Sequence, residues 1–344
     1  MKWTPMSPHA ALPNKPPGRA ALLAVLFLCG AIAARASDFT QAAIGTTGSN
    51  FLLQDQGARA IAMGGAYSAV TDDADSMYWN PAGLTKIPRF SATFMYTPYV
   101  ADINYQSVEV AKRVSDTGVL AGGFRYQDYG SINNTDLAGN TIGTFHPRDF
   151  VSEVGWGQNI YDLSDSEVDV TMGAAMRWIH SDYLLNADGY DGDLGAQGRF
   201  YTGPYSYDLS AVAQNMGVGQ NFDHTRDSTP FRFRVGGAMN LTPSFLFSLE
   251  AIIPSNNIPE GAIGAEYTMM AGRSIKLAFR AGFNSLNIQS LDTYATASFG
   301  VGVKYHDIGF DYAFVPMGAL SDQVSRFSLS WNLPAKASQR FRER

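Results

Sequence analysis

The chain has 344 residues with a formal net charge of −6; only 16% are charged, while glycine (34), tyrosine (17) and phenylalanine (21) are plentiful. So few charges do not cover an ordinary soluble domain, and a mean hydropathy of −0.11 excludes a bundle of membrane-spanning helices. A chain that is 45% hydrophobic without long apolar runs must alternate, and its acidic balance argues against nucleic acid as a partner.

Residues 1–36 contain no Asp or Glu, carry Lys2, Lys15 and Arg19, and run through AALLAVLFLCGAIA to Ala34-Arg35-Ala36, a small-x-small cleavage pattern. This predicts a secretory signal peptide over 1–36, with Met6 open as an alternative start. Its apolar stretch of about 13 residues falls short of the roughly 20 that span a bilayer. The single cysteine, Cys29, lies in this leader, and Leu28 before it suits lipoprotein cleavage poorly. The mature chain then has no disulfide, thiolate metal site or cysteine nucleophile. Losing Lys2, Lys15, Arg19 and Arg35 leaves 21 of the 25 bases against 31 acids, a net charge of −10.

Residues 37–87 fit no lipid-facing pattern. Within GARAIAMGGAYSAVTDDADSMYWNPAGL, residues 57–84, the small residues Gly57, Ala58, Ala60, Ala62, Gly64, Gly65 and Ala66 permit close packing. Pro81 forces Asn80 to be extended, and the Asn80 side chain can close a turn that Gly83 completes. The segment is predicted to be a plug, or hatch, with Asp72, Asp73 and Asp75 meeting lumen-facing bases: Arg177, Arg232, Arg234, Lys276 and Arg280.

From residue 88 to 333 the pattern has period 2. In RFSATFMYTP, Phe90, Ala92, Phe94 and Tyr96 share one face and Ser91, Thr93, Met95 and Thr97 the other. The last strand sets Phe327, Leu329, Trp331 and Leu333 against Arg326, Ser328, Ser330 and Asn332. Fourteen strands are predicted, starting near residues 89, 103, 117, 149, 168, 193, 206, 230, 244, 260, 273, 293, 307 and 323. Short connections such as LTPS and HD alternate with long ones such as DYGSINNTDLAGNTIGTFHPRD, the rhythm of a transmembrane antiparallel β-barrel with short periplasmic turns and long outer loops. Tyr96, Tyr99, Tyr105, Tyr126, Tyr129, Tyr305 and Tyr312 fall near strand ends, where aromatic girdles form. A soluble secreted β-protein is the alternative; its exposed faces would carry more charge. About fourteen strands enclose more space than side chains fill, so the all-β barrel requires the hatch in its lumen. Residues 334–344, PAKASQRFRER, add a basic periplasmic tail.

The stretch 57–84 resembles the N-terminal hatch signature of the long-chain fatty acid transporter (FadL) superfamily, and more closely its PorV/PorQ branch. The run VGVKYHDIGFDYAFVPMGALSDQVSRFSLSWNL is similar to that branch's closing three strands. Asn80, Pro81 and Ala82 match the hatch turn; Arg59, Gly64 and Gly65 match the glycine-rich stretch before it. The resemblance implies a fourteen-stranded bacterial outer-membrane barrel whose hatch gates an opening in the wall. FadL-like members pass hydrophobic small molecules through that opening, whereas PorV-like members receive exported proteins during type IX secretion. The basic tail departs from the family pattern.

Gly122-Gly123, in the third strand, is the candidate for the wall opening, because paired glycines weaken a strand. The other reading is a glycine making room for the hatch. Loops 128–148 and 215–229 are the candidate docking surfaces for exported proteins. NADGYDGDLGAQG, residues 186–198, is acidic, but its spacing does not fit a calcium loop, and it reads as an outer loop entering a strand. His9, His146, His180, His224 and His306 form no metal-ligand spacing, and no catalytic motif is present. The sequence therefore predicts no enzyme, cofactor or metal, and as partners outer-membrane lipid, a hydrophobic small molecule or exported proteins.

Overall fold

The computed structural model describes residues 43–162, 168–202, 205–222, 225–287, 296–316 and 323–335. The predicted signal peptide and most of the basic tail lie outside them. In chain order the strands are β1 (Phe90–Pro98), β2 (Asn104–Arg113), β3 (Gly118–Asp128), β4 (Ile132–Thr135), β5 (Thr141–Phe145), β6 (Arg148–Asp162), β7 (Val168–Asp182), β8 (Asn186–Thr202) and β9 (Tyr205–Val218). They continue with β10 (Asn221–Phe222), β11 (Thr225–Arg226), β12 (Arg232–Thr242), β13 (Phe245–Pro254), β14 (Glu260–Ala271), β15 (Ile275–Asn284), β16 (Ala297–Tyr305), β17 (Ile308–Pro316) and β18 (Gln323–Leu333). Among the described residues fourteen strands close one antiparallel barrel, while β4–β5 and β10–β11 form two small hairpins. Closure comes from β1 against β18, in register from Phe90↔Leu333 to Tyr96↔Phe327.

Burial is inverted relative to a soluble protein. Phe94, Val108, Trp156, Phe279, Val301 and Trp331 are outward and exposed, whereas Thr93, Glu109, Arg125, Arg177, Glu250 and Ser328 are buried. Alternation along a pleated strand produces this: the apolar set faces lipid, and the polar set faces the lumen. The girdle reading needs correcting at one place: Tyr105 points inward at 3% exposure and packs with Met95 and Ala313.

The structure also places the sixth wall strand earlier than expected, at Asn186 rather than near 193. The acidic run that suggested a loop is strand, with Asp191 and Asp193 turned inward onto Arg177. β6, β7 and β8 are the tallest part of the wall, with 15, 15 and 17 residues.

Residues 43–87 occupy the lumen and run from one end of the barrel to the other. At the long-loop end, Asn256 Nδ2 donates to Thr47 Oγ1 (2.8 Å) and Ser49 Oγ to Gln220 Oε1 (2.7 Å). At the short-turn end, Arg113 Nε donates to the Ile87 carbonyl (3.0 Å). Between these ends lie two short helices, α1 (Ala58–Ala62) and α2 (Ser76–Trp79), and a 3₁₀ turn over Pro81–Lys86. Ala58, Ala60 and Ala62 of α1 are all buried. Their small side chains bring the helix onto the inner wall, so that no Cβ fits at Gly300 without striking Ala62.

Candidate functional site

The glycine-rich stretch and the Asn-Pro turn are fastened to the wall by separate polar contacts. Arg59, on α1, donates to both oxygens of Glu266 (2.8 and 2.9 Å), to Asp72 (2.6 Å) and to the Tyr67 hydroxyl (3.2 Å). Glu266 also accepts from Arg280 (2.6 Å), which reaches Asp311 (2.6 Å). Two like charges can share this partly buried site because three carboxylates compensate them, Glu266 shared by both and Asp72 and Asp311 taken by one each.

Gly64 has φ = 68°, and a Cβ there would stand 2.7 Å from the Phe283 backbone, so only glycine permits this approach to β15. Its amide donates to Ser298 Oγ (3.1 Å) and its carbonyl accepts from Asn284 (3.1 Å). The Gly65 carbonyl accepts from Arg234 Nη2 (2.7 Å). Glu250 pairs with Arg234 and accepts from the amides of Tyr67 (2.8 Å) and Ser68 (2.9 Å). One wall carboxylate thus holds two consecutive lumenal amides, a strong charge-assisted arrangement.

Asn80 closes its turn as its residue type suggests: Oδ1 accepts from the Ala82 amide (3.1 Å) while Nδ2 donates to the Ser68 carbonyl (2.9 Å). Pro81, Ala82 and Gly83 are buried in the following 3₁₀ turn. The Pro81 carbonyl lies against Gly173 on β7, and Gly83 against Thr71. Trp79 sits at the centre, edge-on to Tyr67 and Tyr78 and beneath the Arg234 guanidinium, 4.7 Å from the ring centroid.

The expected pairing between lumenal acids and wall bases does not occur. Arg177 pairs with Asp191 (2.5 Å) and Asp193, Arg234 with Glu250, and Arg280 with Glu266 and Asp311. Arg232 meets Gln214 Oε1 (2.7 Å) and the Tyr78 hydroxyl (2.8 Å). Lys276 is exposed, in register with Lys304. The physical reason is register. Arg177↔Asp191 and Arg280↔Glu266 are directly opposed on neighbouring strands, where inward side chains meet first. Of the lumenal acids, Asp72 turns to Arg59 and Asp75 to Thr93.

Gly122-Gly123 does not break the wall. β3 stays in unshifted register with β2 and with β6 through both residues. Gly122 faces outward with only the Glu153 carbonyl at 3.7 Å, whereas a Cβ on Gly123 would come within 2.7 Å of Met77 Cε. Gly123 makes room for α2.

The structure adds a second feature. At the long-loop end, Tyr129, Ile132, Phe145, Pro147, Tyr183, Leu184, Leu185 and Phe222 line an open pocket of ≈ 450 Å³. Tyr183 stacks on Phe222 (5.6 Å, 4°) and meets Tyr129 edge-on (6.1 Å). Buried Asp149 accepts from the Tyr129 hydroxyl (2.6 Å), the Tyr183 hydroxyl (2.9 Å) and Ser181. Burial and then the Asp149 charge push the Tyr183 hydroxyl up to about 12 and that of Tyr129 further, so both remain donors. The two candidate docking loops each contribute here, together with the β7–β8 turn. The sequence signal was that turn's Tyr183-Leu184-Leu185, apolar where a turn should be polar.

A family model described as type IX secretion system protein PorV matches residues 36–215. No curated protein matches the chain. Among solved structures, the toluene transporter TbuX of Ralstonia pickettii is 13% identical with a TM-score of 0.54, over 82% of this chain and 100% of that one. The toluene transporter TodX of Pseudomonas putida is 12% identical with a TM-score of 0.52, over 80% and 96%. These likenesses show the architecture alone. A looser one, to CdiB from Acinetobacter baumannii, has 9% identity and a TM-score of 0.44, and this chain spans only 60% of that protein.

Proposed function

The chain belongs to the PorV family of type IX secretion system proteins, and we propose that it is an outer-membrane docking barrel that receives exported proteins at the pocket of its long-loop end. The observation that carries this reading is the position of that apolar pocket: outside the lumen, open, and built from three loops. An aromatic or branched aliphatic side chain of an exported protein would bury itself against Tyr183, Phe222 and Leu184, the kind of anchor that dominates protein interfaces. Asp149 fixes two of the lining rings before any partner arrives, which lowers the ordering cost of binding.

The lumenal segment acts in this reading as a hatch that closes the barrel. Transport of a hydrophobic small molecule is the second reading, favoured by the pocket's apolar lining. Against it stand the unbroken β2–β3–β6 register and the charged interior, where Arg232, Glu260 and Arg326 of the wall lie within electrostatic reach of Asp55 of the lumenal segment and offer an apolar molecule no matching surface. Gentle extraction from the native outer membrane followed by mass spectrometry separates the two. Co-purifying exported proteins that share a C-terminal domain support docking; a stoichiometric apolar small molecule without them supports transport.

A further inference from the structure

Beneath α2, the carboxyls of Asp75, Glu109 and Glu153 are buried near one another, with the Arg125 guanidinium beside the two glutamates. Asp75 is 7% exposed, Glu109 0%, Glu153 6% and Arg125 1%. Arg125 is committed to Glu153 (3.0 Å). Thr93 Oγ1 lies between the other two, 2.5 Å from Asp75 Oδ1 and 3.2 Å from Glu109 Oε2. A hydroxyl has one proton to give. If Thr93 donates to Asp75, the Glu109 contact is favourable only when Glu109 carries a proton and donates it back. The remaining oxygen, Glu109 Oε1, is an acceptor: the Gln56 amide, oriented so that its oxygen accepts from Arg125 (3.0 and 3.2 Å), places its nitrogen on Glu109. The run from Asp75 through Thr93 and Glu109 to Gln56 is then satisfied with Glu109 neutral and Asp75 ionised, while Glu153 Oε1 is left without a partner.

Among the described residues no spare cation faces this chain of groups. Arg59 on α1 is taken by Glu266 and Asp72. Asp311 on β17 is taken by Arg280, and the Asp73 carboxylate accepts from the Asp75 amide (3.1 Å). A second negative charge on the pair would meet Asp75 and Glu153 against one guanidinium, Arg125, already paired with Glu153, in a site shut off from water.

We propose that Asp75, Thr93 and Glu109 form a proton-dependent fastening between the lumenal segment and the wall, holding α2 down while the pair shares one proton and releasing it when that proton leaves. The inference goes beyond docking and does not depend on it. Asp75 belongs to the lumenal turn, and burial, outweighing the hydrogen bond from Thr93, pushes its carboxyl up to about 6. A carboxyl raised in the folded state stabilises attachment at low pH and loses that contribution as pH rises through the raised value. The pair titrates as a unit, so the release lies from pH 6 upward.

The test is hydrogen–deuterium exchange of the full chain in detergent micelles, read by mass spectrometry at pH 5.5, 7 and 8.5 and corrected for intrinsic exchange. Peptides spanning 72–79 report the fastening, and wall peptides report the barrel. Wild-type protection over 72–79 is expected to fall about tenfold or more from pH 5.5 to 8.5 with wall protection constant. Glu109→Gln, a permanent mimic of the neutral carboxyl, should hold protection at every pH, and Thr93→Val should lower it at every pH. A flat wild-type profile overturns the proposal, as does a Glu109→Gln profile that follows the wild type.

Discussion

Replacing Glu250 by alanine should free the glycine-rich stretch from the wall while leaving the barrel closed. In the native protein this carboxylate, 4% exposed, pairs with Arg234, 1% exposed on its side chain, and accepts from the Tyr67 and Ser68 amides. Its loss strands a buried guanidinium, which costs about 3–5 kcal/mol, and orphans two amides at roughly 1–3 kcal/mol each. Groups sharing one partner are not additive, so the expected total is at least about 4 kcal/mol, or nearly a thousandfold in local opening. Hydrogen exchange over residues 64–71 reads this directly. Glu250→Gln keeps one acceptor and should fall between. Adding Arg234→Met to Glu250→Ala removes the stranded charge and should recover part of the loss. Protection in Glu250→Ala within a factor of ten of the wild type would refute the account of how the segment is held.

Three further expectations follow from the same geometry. Gly122→Ala should change stability by less than about 0.5 kcal/mol, whereas Gly123→Ala, pressed on Met77, should cost about 1–3 kcal/mol; denaturant melts of the two variants compare them, and equal effects would contradict the assignment of faces. Gly173→Val places side-chain atoms on the Pro81 backbone, which cannot rotate away, so the Asn80-Pro81 turn should become cleavable by added protease while the wall stays resistant. Tyr183→Ala removes the ring stacked on Phe222 and should cut the yield of co-purified exported protein about tenfold or more, with the barrel's resistance to protease unchanged.

The barrel was legible because period-2 alternation and the short-long rhythm of connections are local properties that the lipid environment imposes on every strand. RFSATFMYTP shows both faces in one reading. The Asn80-Pro81 turn was legible for a similar reason, since its side chain bonds two residues away. What the sequence hid depends on neighbours across the wall. Asp191 read as loop and Asp193 as the start of a strand because the local pattern gives an inward acid no partner; only the register that sets them beside Arg177 explains them. Gly122 and Gly123 look alike in a string of letters, yet one faces lipid and the other faces Met77. The outer pocket takes residues from three loops separated by dozens of positions, and no single loop carries its pattern. The pairing of wall bases with wall acids was missed because charge alone does not say which strand is adjacent.

The most direct measurement places a photo-activatable amino acid at Leu184, in the outer pocket, and a control at Lys276, at the short-turn end, in cells that secrete through this machinery. Irradiation followed by mass spectrometry identifies what each position touches. Covalent adducts are expected between the Leu184 position and exported proteins sharing a C-terminal domain, with none at the Lys276 position. Adducts confined to lipid or to an apolar small molecule at Leu184, with no exported protein, would contradict the docking reading.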